Sequence, residues 1–287
     1  MIKTRHPRLK YLREELLPHT FCPGCGIGQL MNYMAMAFED LAKTGKINLD
    51  KIVLVGGVGC AARLPIFMNF ECIHGIHGRE LAFASGIKLA NPSLHVIAVL
   101  GDGAVANIGA NHFIQACRRN IGITTIVVNN RIFAMTGGEV SATSPKGIWT
   151  STSPYGNIEE PFDLCKLAIT AGASFVARWS TAHPFQLINT IKKAITHKGF
   201  SLIEVVSQCV TYYGRRVYGT DDPASIWNRL KEECISIEEA SKKSPKELEG
   251  KIIVGIFKEE VRPTYEDIYY NLVKKIQSNK NIKLYNV

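Results

Sequence analysis

Gly101-Asp102-Gly103 sets a carboxylate between two glycines at the end of the apolar run His95–Leu100. Such a carboxylate can face a cation while the backbone comes close to a ligand. Asn130 follows the next apolar run, Thr124–Val128, with Ile132 just beyond it. Asp102, the side-chain oxygen of Asn130 and the Ile132 carbonyl would supply three hard oxygen ligands. Magnesium takes a few protein oxygens and completes its octahedron with phosphate oxygens or water. The plainer alternative is a tight turn beside an unrelated asparagine. The order strand, GDG, helix, strand, NN favours a diphosphate held through a metal.

Sulfur offers a second chemistry. Of the 8 cysteines, Cys22 and Cys25 alone form a CxxC, and the others stand at 60, 72, 117, 165, 209 and 234. The start of the chain is basic with no apolar stretch behind it, so no secretory signal is expected. In a reducing, cytoplasmic compartment thiols bind metal, react or pack rather than form disulfides.

These residues need a scaffold. The runs Ile52–Val55, His95–Leu100, Thr124–Val128 and Ser201–Val206 are short and continuously apolar. Helices are expected between them, near Gly28–Lys43, Arg79–Ala90, Asn111–Arg119, Phe162–Ala171 and His183–His197, with another strand over Phe175–Ala177. That grammar predicts an α/β fold, a mostly parallel sheet with helices on both faces. Ligands of such sheets sit beyond the carboxyl ends of the strands. The loops after Val55, Leu100, Val128 and Val206 hold Gly-Gly-Val-Gly-Cys60, the GDG turn, Asn129-Asn130 and Cys209. The loop from Asn129 to Pro161 is long for a compact domain, and such loops are usually functional. Beyond Asp221 come a polar helical stretch, a strand over Lys251–Ile256 and a helix near Tyr265–Ile276. The EASKKSPKELEGK segment between them reads as an exposed connector.

The 287 residues, 46% apolar and 21% charged, exclude a disordered chain. No run approaches the roughly 18 apolar residues of a membrane span, so no membrane partner is expected. Lys plus Arg exceed Asp plus Glu by 34 to 25, a net +9. That charge is scattered in small clusters at Met1–Arg13, Ser241–Lys251 and Lys274–Lys283, without interleaved aromatics. No nucleic acid is therefore expected, and an acidic protein partner accounts for the excess equally well.

The GDG and NN pair resembles the diphosphate-binding motif of thiamine diphosphate enzymes. FCPGCGIG, GGVGCAARLP, HGIHGRELAFASGIKLANP and NNRIFAMTGGE resemble the beta subunit of 2-oxoacid:ferredoxin oxidoreductases. So do STSPYGNIEEPFDLCKLA and EVVSQCVTYYGRR, and within that family the text is most similar to the 2-oxoglutarate branch, 2-oxoglutarate synthase. The resemblance implies a thiamine diphosphate-binding fold over residues 1–220, with 221–287 as a capping or subunit-contact extension. It also implies thiamine-dependent, coenzyme A-dependent oxidative decarboxylation of a 2-oxoacid, 2-oxoglutarate to succinyl-CoA, or its reverse. Electrons would pass through a [4Fe–4S] cluster to ferredoxin. Pyruvate and branched-chain 2-oxoacids are the alternative substrates.

By the same resemblance, the cluster ligands are Cys22, Cys25, Cys60 and Cys209. The same four thiolates could hold zinc in a non-catalytic binding module, and the CxxC could be a redox pair. Cys72, Cys117, Cys165 and Cys234 match no ligand position and are expected to pack. Val58, Gly59, Cys60 and Ala61 match the segment against the thiamine rings. Gly101, Asp102, Gly103, Ala104, Asn130, Ile132, Ala134 and Met135 match positions at the diphosphate and its magnesium. Many relatives read GDGD, so Ala104 departs from the pattern while Asp102 keeps the metal ligand. His74, His77 and Arg79 would border the site, where a neutral histidine can move a proton or merely cap a helix. Several pyruvate-type relatives carry lysine in a TKGQ run where this chain reads Thr136-Gly137-Gly138-Glu139. The missing cation leaves room for a longer substrate. The family's activating glutamate lies in a pyrimidine-binding domain, which the resemblance places on an alpha subunit, so a hetero-oligomer is expected.

Overall fold

The computed structural model describes residues 6–278. The parts of the Met1–Arg13 and Lys274–Lys283 clusters before His6 and after Ser278 lie outside the described residues. The strands are β1 (Ile52–Gly56), β2 (Glu71–His74), β3 (His95–Gly101), β4 (Ile123–Asn129), β5 (Phe175–Ser180), β6 (Ser201–Val206), β7 (Cys234–Ser236) and β8 (Ile252–Glu259). They form one 8-stranded sheet in the order β2-β1-β3-β4-β6-β5-β8-β7. Every neighbouring pair is parallel except β5 and β8. The helices are α1 (Gly26–Lys43), α2 (Leu64–Phe67), α3 (Glu80–Ala90), α4 (Ala110–Arg119), α5 (Leu164–Ala171), α6 (Pro184–Thr196), α7 (Pro223–Glu233), α8 (Ile237–Ala240) and α9 (Tyr265–Ser278).

Strand side chains alternate between two cores. Ile97, Val99, Ile126, Val128, Ile203 and Val205 face α1 and α6. Val96, Ala98, Leu100, Ile123, Val127 and Leu202 face α3, α4 and α5. With both faces covered, a central strand gains nothing from polar alternation, which is why these strands are continuously apolar. In α1, Ile27, Leu30, Met31, Met34, Phe38 and Leu41 are buried, a stripe at helical spacing. Helix α5 starts at Asp163, whose carboxylate accepts from the amides of Cys165 and Lys166. Helix α6 starts on Pro184, which lacks the donor that a first turn leaves unused.

The sequence-based boundaries hold to within a few residues, the strand expected over Lys251–Ile256 being β8; strands β2 and β7 and the short helices α2 and α8 are additions. Strand β2 extends one edge, and β8 with β7 extends the other in the opposite sense. The segment beyond residue 220 therefore continues the same sheet. Between Asn129 and Asp163 the chain has no helix or strand, only isolated bridges such as Phe133 with Glu139.

Under the sheet's α5 side, Arg178 joins two carboxylates, Asp163 at 2.6 Å and the buried Glu204 at 2.8 Å. Glu204 also accepts from Asn129 Nδ2 at 2.7 Å, which ties this ion pair to the end of β4. Removing one member of a buried pair leaves the other desolvated and alone. Glu204→Leu is expected to cost about 3–5 kcal/mol in chemical denaturation. Adding Arg178→Leu should recover part of that loss; strictly additive losses would contradict the coupling.

Candidate functional site

Strand register brings the sequence motifs to one edge. Gly101 pairs with Val128, Asn129 with Val206, and Gly56 with His74. The loops that leave these strand ends enclose a cavity of about 110 Å³. It is lined by Val58, Gly59, Cys60 and Ala61 after β1, by Gly101, Asp102, Gly103 and Ala104 after β3, and by Asn130, Ile132, Ala134 and Met135 after β4. His77 also lines it, its Nδ1 3.1 Å from the Val58 carbonyl. His74 and Arg79 do not. His74 is exposed at the end of edge strand β2, and Arg79 donates to the carbonyls of Gly78 and Ile108, away from the cavity.

Asp102 is buried, and one carboxylate oxygen accepts from Ser141 and Thr143 hydroxyls, each at 2.6 Å. Burial nonetheless pushes its carboxyl up from 3.8 to about 6, outweighing both hydroxyls. One terminal atom of the Asn130 amide stands 2.7 Å from the Ile132 carbonyl oxygen and 3.3 Å from Asp102 Oδ1. A nitrogen there donates to both. An oxygen there makes three oxygens face one point. Octahedral magnesium with oxygens at about 2.1 Å has neighbouring oxygens about 3.0 Å apart, so the spacing matches such a donor set.

Arg131, between Asn130 and Ile132, has φ of +62°, an uncommon conformation for a residue with a side chain. Its buried guanidinium is held by Tyr218 Oη at 2.7 Å, by Glu233 at 3.3 Å and over the Tyr213 ring at 4.3 Å. That anchoring keeps the two flanking residues turned toward Asp102. Ser144 adds a hydrogen bond to the Arg131 carbonyl, at 2.7 Å.

A second cavity, about 240 Å³, adjoins the first. Its lining includes Cys22, Cys25, Cys60 and Cys209, and it shares Cys60, Asn130, Ala134 and Met135 with the first. Cys25 precedes α1 and Cys209 precedes the helical segment Val210–Tyr218. Backbone amides at both segment starts therefore face sulfur, an arrangement that favours negative charge. The segments approach closely because Gly26 has no side chain: a Cβ there would stand 2.2 Å from Ser207 Oγ. Burial, with the neighbouring thiols adding to it, raises Cys25 to about 12; burial raises Cys60 to about 11. Such thiols stay protonated near neutral pH unless a cation takes the proton's place.

Among the described residues, the one set of three or more metal-type ligand atoms within 4.8 Å of one another is Asp163, Cys165 and Glu204. The Arg178 guanidinium already fills that set. No three of the cavity's four sulfurs are so close. Zinc at about 2.3 Å from each of four sulfurs would need them about 3.8 Å apart. Cys117 and Cys165 pack in the core on the α4–α5 side, Cys72 accepts from Arg13 at 3.6 Å, and Cys234 is half-buried.

Three contributors were not expected from sequence. Ser141 and Thr143 come from the long loop and reach Asp102 across 39 and 41 residues of chain. Glu80 is buried, its Oε1 without a hydrogen-bond partner among the described residues, and its carboxyl lies against the amides of Gly78 and Val58. It packs under Gly57 and so fixes the turn that carries Val58 to Cys60.

Residues 57–205 match the family described as thiamine pyrophosphate enzyme, C-terminal TPP binding domain. The 2-oxoglutarate synthase subunit KorB of Methanocaldococcus jannaschii is 49% identical over 95% of this chain and 99% of its own length. The subunit of that name from Archaeoglobus fulgidus is 42% identical over 95% and 97%. A 2-oxoacid:ferredoxin oxidoreductase subunit beta from Saccharolobus solfataricus is 38% identical over 83% and 76%. Among solved structures, a chain of the 2-oxoglutarate:ferredoxin oxidoreductase from Magnetococcus marinus, with 2-oxoglutarate, coenzyme A and succinyl-CoA bound, superposes with a TM-score of 0.82. That match has 27% identity and covers 99% of this chain and 94% of the other. With motifs, fold and relatives in agreement, the chain belongs to the beta subunits of 2-oxoacid:ferredoxin oxidoreductases, in the 2-oxoglutarate synthase group.

Proposed function

We propose that this chain is the beta subunit of a 2-oxoglutarate:ferredoxin oxidoreductase. It would convert 2-oxoglutarate and coenzyme A to succinyl-CoA and carbon dioxide, or run the reverse carboxylation. The observation that carries this reading is the shared wall: an oxygen-lined cavity and a thiol-lined cavity meet at Cys60, Asn130, Ala134 and Met135. The names of the relatives supply the substrate and the electron carrier.

The oxygen donors fit magnesium, and Asp102, Asn130 and the Ile132 carbonyl would hold it with a diphosphate. Thiamine diphosphate, when bound, supplies a carbon nucleophile for the 2-oxo carbon and an electron sink as carbon dioxide leaves. Ser141 and Thr143 fix the Asp102 carboxylate in place, and the Arg131 anchor fixes Asn130 and Ile132. Val58, Gly59 and Ala61 would lie along the ring system and exclude water from it. His77 is the one histidine among the three polar candidates that reaches the cavity. Bound to the Val58 carbonyl through Nδ1, it leaves Nε2 as the atom to accept or return a proton. His74 and Arg79 would act only at the rim.

Cys22, Cys25, Cys60 and Cys209 line one cavity and would hold a four-thiolate cluster, while no three of their sulfurs stand as close together as a single zinc needs. A [4Fe–4S] cluster, when bound, supplies a one-electron acceptor. The chain's own part is to place Cys60 in both cavities, so that little protein separates the two centres. The alpha subunit would supply the pyrimidine-binding domain with its activating glutamate, and ferredoxin would take the electrons. The net charge of +9 suits steering toward an acidic carrier. The extension after residue 220 would cap the β5 edge and contact a neighbouring subunit. Among the described residues no helix is long and apolar enough to cross a membrane; the unpaired cysteines suit a reducing, cytoplasmic compartment.

Reduction of a viologen dye by the chain co-expressed with its alpha-type subunit tests the function, with coenzyme A and each of 2-oxoglutarate, pyruvate and 2-oxoisovalerate. Preference for 2-oxoglutarate is expected, and strict preference for pyruvate would overturn the substrate. The purified single chain should show no turnover, and turnover by it alone would remove the need for a partner subunit. Anaerobic protein should carry iron and sulfide in equal amounts and lose both in Cys60→Ala; stoichiometric zinc instead would support the binding-module alternative.

Asp102 gives a pH test with a defined sign. Its folded value of about 6 exceeds the unfolded 3.8, so the fold binds the proton more tightly. The associated stability is fully present below pH 3.8 and is lost as pH rises through about 6. The loss is on the order of 3 kcal/mol in chelator-treated protein. Melting temperature should fall over that window in wild type, stay flatter in Asp102→Asn, and recover with magnesium plus thiamine diphosphate in wild type alone. Parallel pH curves for the two proteins would contradict the assignment.

A further inference from the structure

The turn beyond Ala134 runs through Met135 and Thr136, which line the oxygen cavity, to Gly137 and Gly138. Gly138 has φ of +85°, and a Cβ on it would stand 2.1 Å from Arg216 Nη1. The absence of a side chain is thus what lets the Arg216 guanidinium sit on this turn. Arg216 Nη1 donates to the Gly138 carbonyl at 2.7 Å. The guanidinium also lies over the Trp149 ring at 4.8 Å and the Tyr212 ring at 5.0 Å. Two rings and a carbonyl fix its plane, so little side-chain freedom remains to be lost when a ligand binds.

What this cation lacks is a counter-charge. Arg131 has Glu233, and Arg178 has Asp163 and Glu204. Among the described residues Arg216 has no carboxylate partner. Glu139, the acidic residue on the same turn, is engaged by the Thr136 hydroxyl at 2.9 Å. Beside Arg216, a Cβ on Gly137 would meet nothing within 4 Å, so the turn is open there. Tyr212 itself lines the thiol cavity, which places the guanidinium near the junction of the two cavities.

A half-buried, oriented guanidinium without a carboxylate partner among the described residues, held on the turn that continues the cavity lining, suits an anion with planar, two-oxygen geometry. The geometry points to Arg216 as the residue that receives the distal carboxylate of a dicarboxylic 2-oxoacid. This assignment rests on the proposed function and names a specificity determinant within it. It also accounts for a second carboxylate being accepted at a turn that carries Glu139 and no lysine. The glycine pair leaves the space, and Arg216 supplies the charge from the segment after Cys209.

The test uses the assembled complex of this chain with its alpha-type subunit, carrying Arg216→Gln or Arg216→Lys. The ratio of kcat/KM for 2-oxoglutarate to kcat/KM for 2-oxobutanoate should fall roughly 10- to 100-fold in Arg216→Gln, mostly through KM for the diacid. Arg216→Lys should recover part of the ratio. Binding is read separately through Trp149 fluorescence, with Trp149→Phe as the control. Glutarate, a diacid that cannot react, should quench it saturably in wild type and not in Arg216→Gln, while butyrate should do neither. Where Arg216→Gln fails to assemble, Arg216→Lys and the wild-type glutarate titration decide the matter. Equal losses on both substrates, or equal responses to glutarate and butyrate, would overturn the assignment and mark Arg216 as a structural or subunit-contact residue. A wild-type complex that uses 2-oxobutanoate but not 2-oxoglutarate would instead remove the proposed substrate, and this assignment with it.

Discussion

The structure turns on a buried carboxylate that forms no ion pair among the described residues. Asp102 leaves the end of a central strand into a pocket where two hydroxyls and the backbone face it, and burial still wins, holding its acidity near 6. A fold does not keep such a group for stability. The surrounding atoms are arranged as if to share a positive charge with it: a carbonyl on Ile132, and an amide on Asn130 that can turn either its nitrogen or its oxygen inward. The Arg131 anchor, the Ser141–Thr143 loop and the Glu204–Asn129 contact all hold parts of this one constellation.

The thiol cavity repeats the logic in a softer form. Four sulfurs from three separate stretches of chain line one cavity, and burial opposes the ionisation of Cys25, Cys60 and Cys209. Small apolar contacts bind the two cavities into one unit: Ile132, Ala134, Cys209 and Tyr213 form a cluster against which Cys60 and Tyr212 pack. A shift of one loop is therefore felt in both. That coupling gives a physical reason for Cys60 to serve on both sides, and for the long loop after β4 to be closely fastened rather than free.

Much of this was legible in the sequence, for definite reasons. Strands β1, β3, β4 and β6 are buried on both faces, and continuous apolar runs announced them. Asp102 and Asn130 follow such runs, so the edge they occupy was fixed once the sheet was parallel. Edge strand β2 escaped notice because only four residues, half of them polar, pair along it. Ser141 and Thr143 escaped because a long loop has no periodicity to say where its hydroxyls land. Glu80 stands in the first turn of α3, where an acid is ordinary, and nothing local shows that it is buried beneath Gly57. His74, His77 and Arg79 share one motif, yet alternation along β2 and the following turn sends only His77 inward. Arg216 carried no signal either, since its meaning depends on Gly138 and Trp149, far away in sequence.

The most direct measurement of the central claim replaces magnesium with manganese in the assembled, thiamine-loaded complex and records the manganese spin resonance before and after chemical reduction. A cation at Asp102 that shares a wall with an iron–sulfur cluster predicts dipolar broadening and faster relaxation of the manganese signal when the cluster becomes paramagnetic, both absent in Asp102→Asn. A bound manganese signal that is unchanged by reduction would contradict the adjoining-centre account.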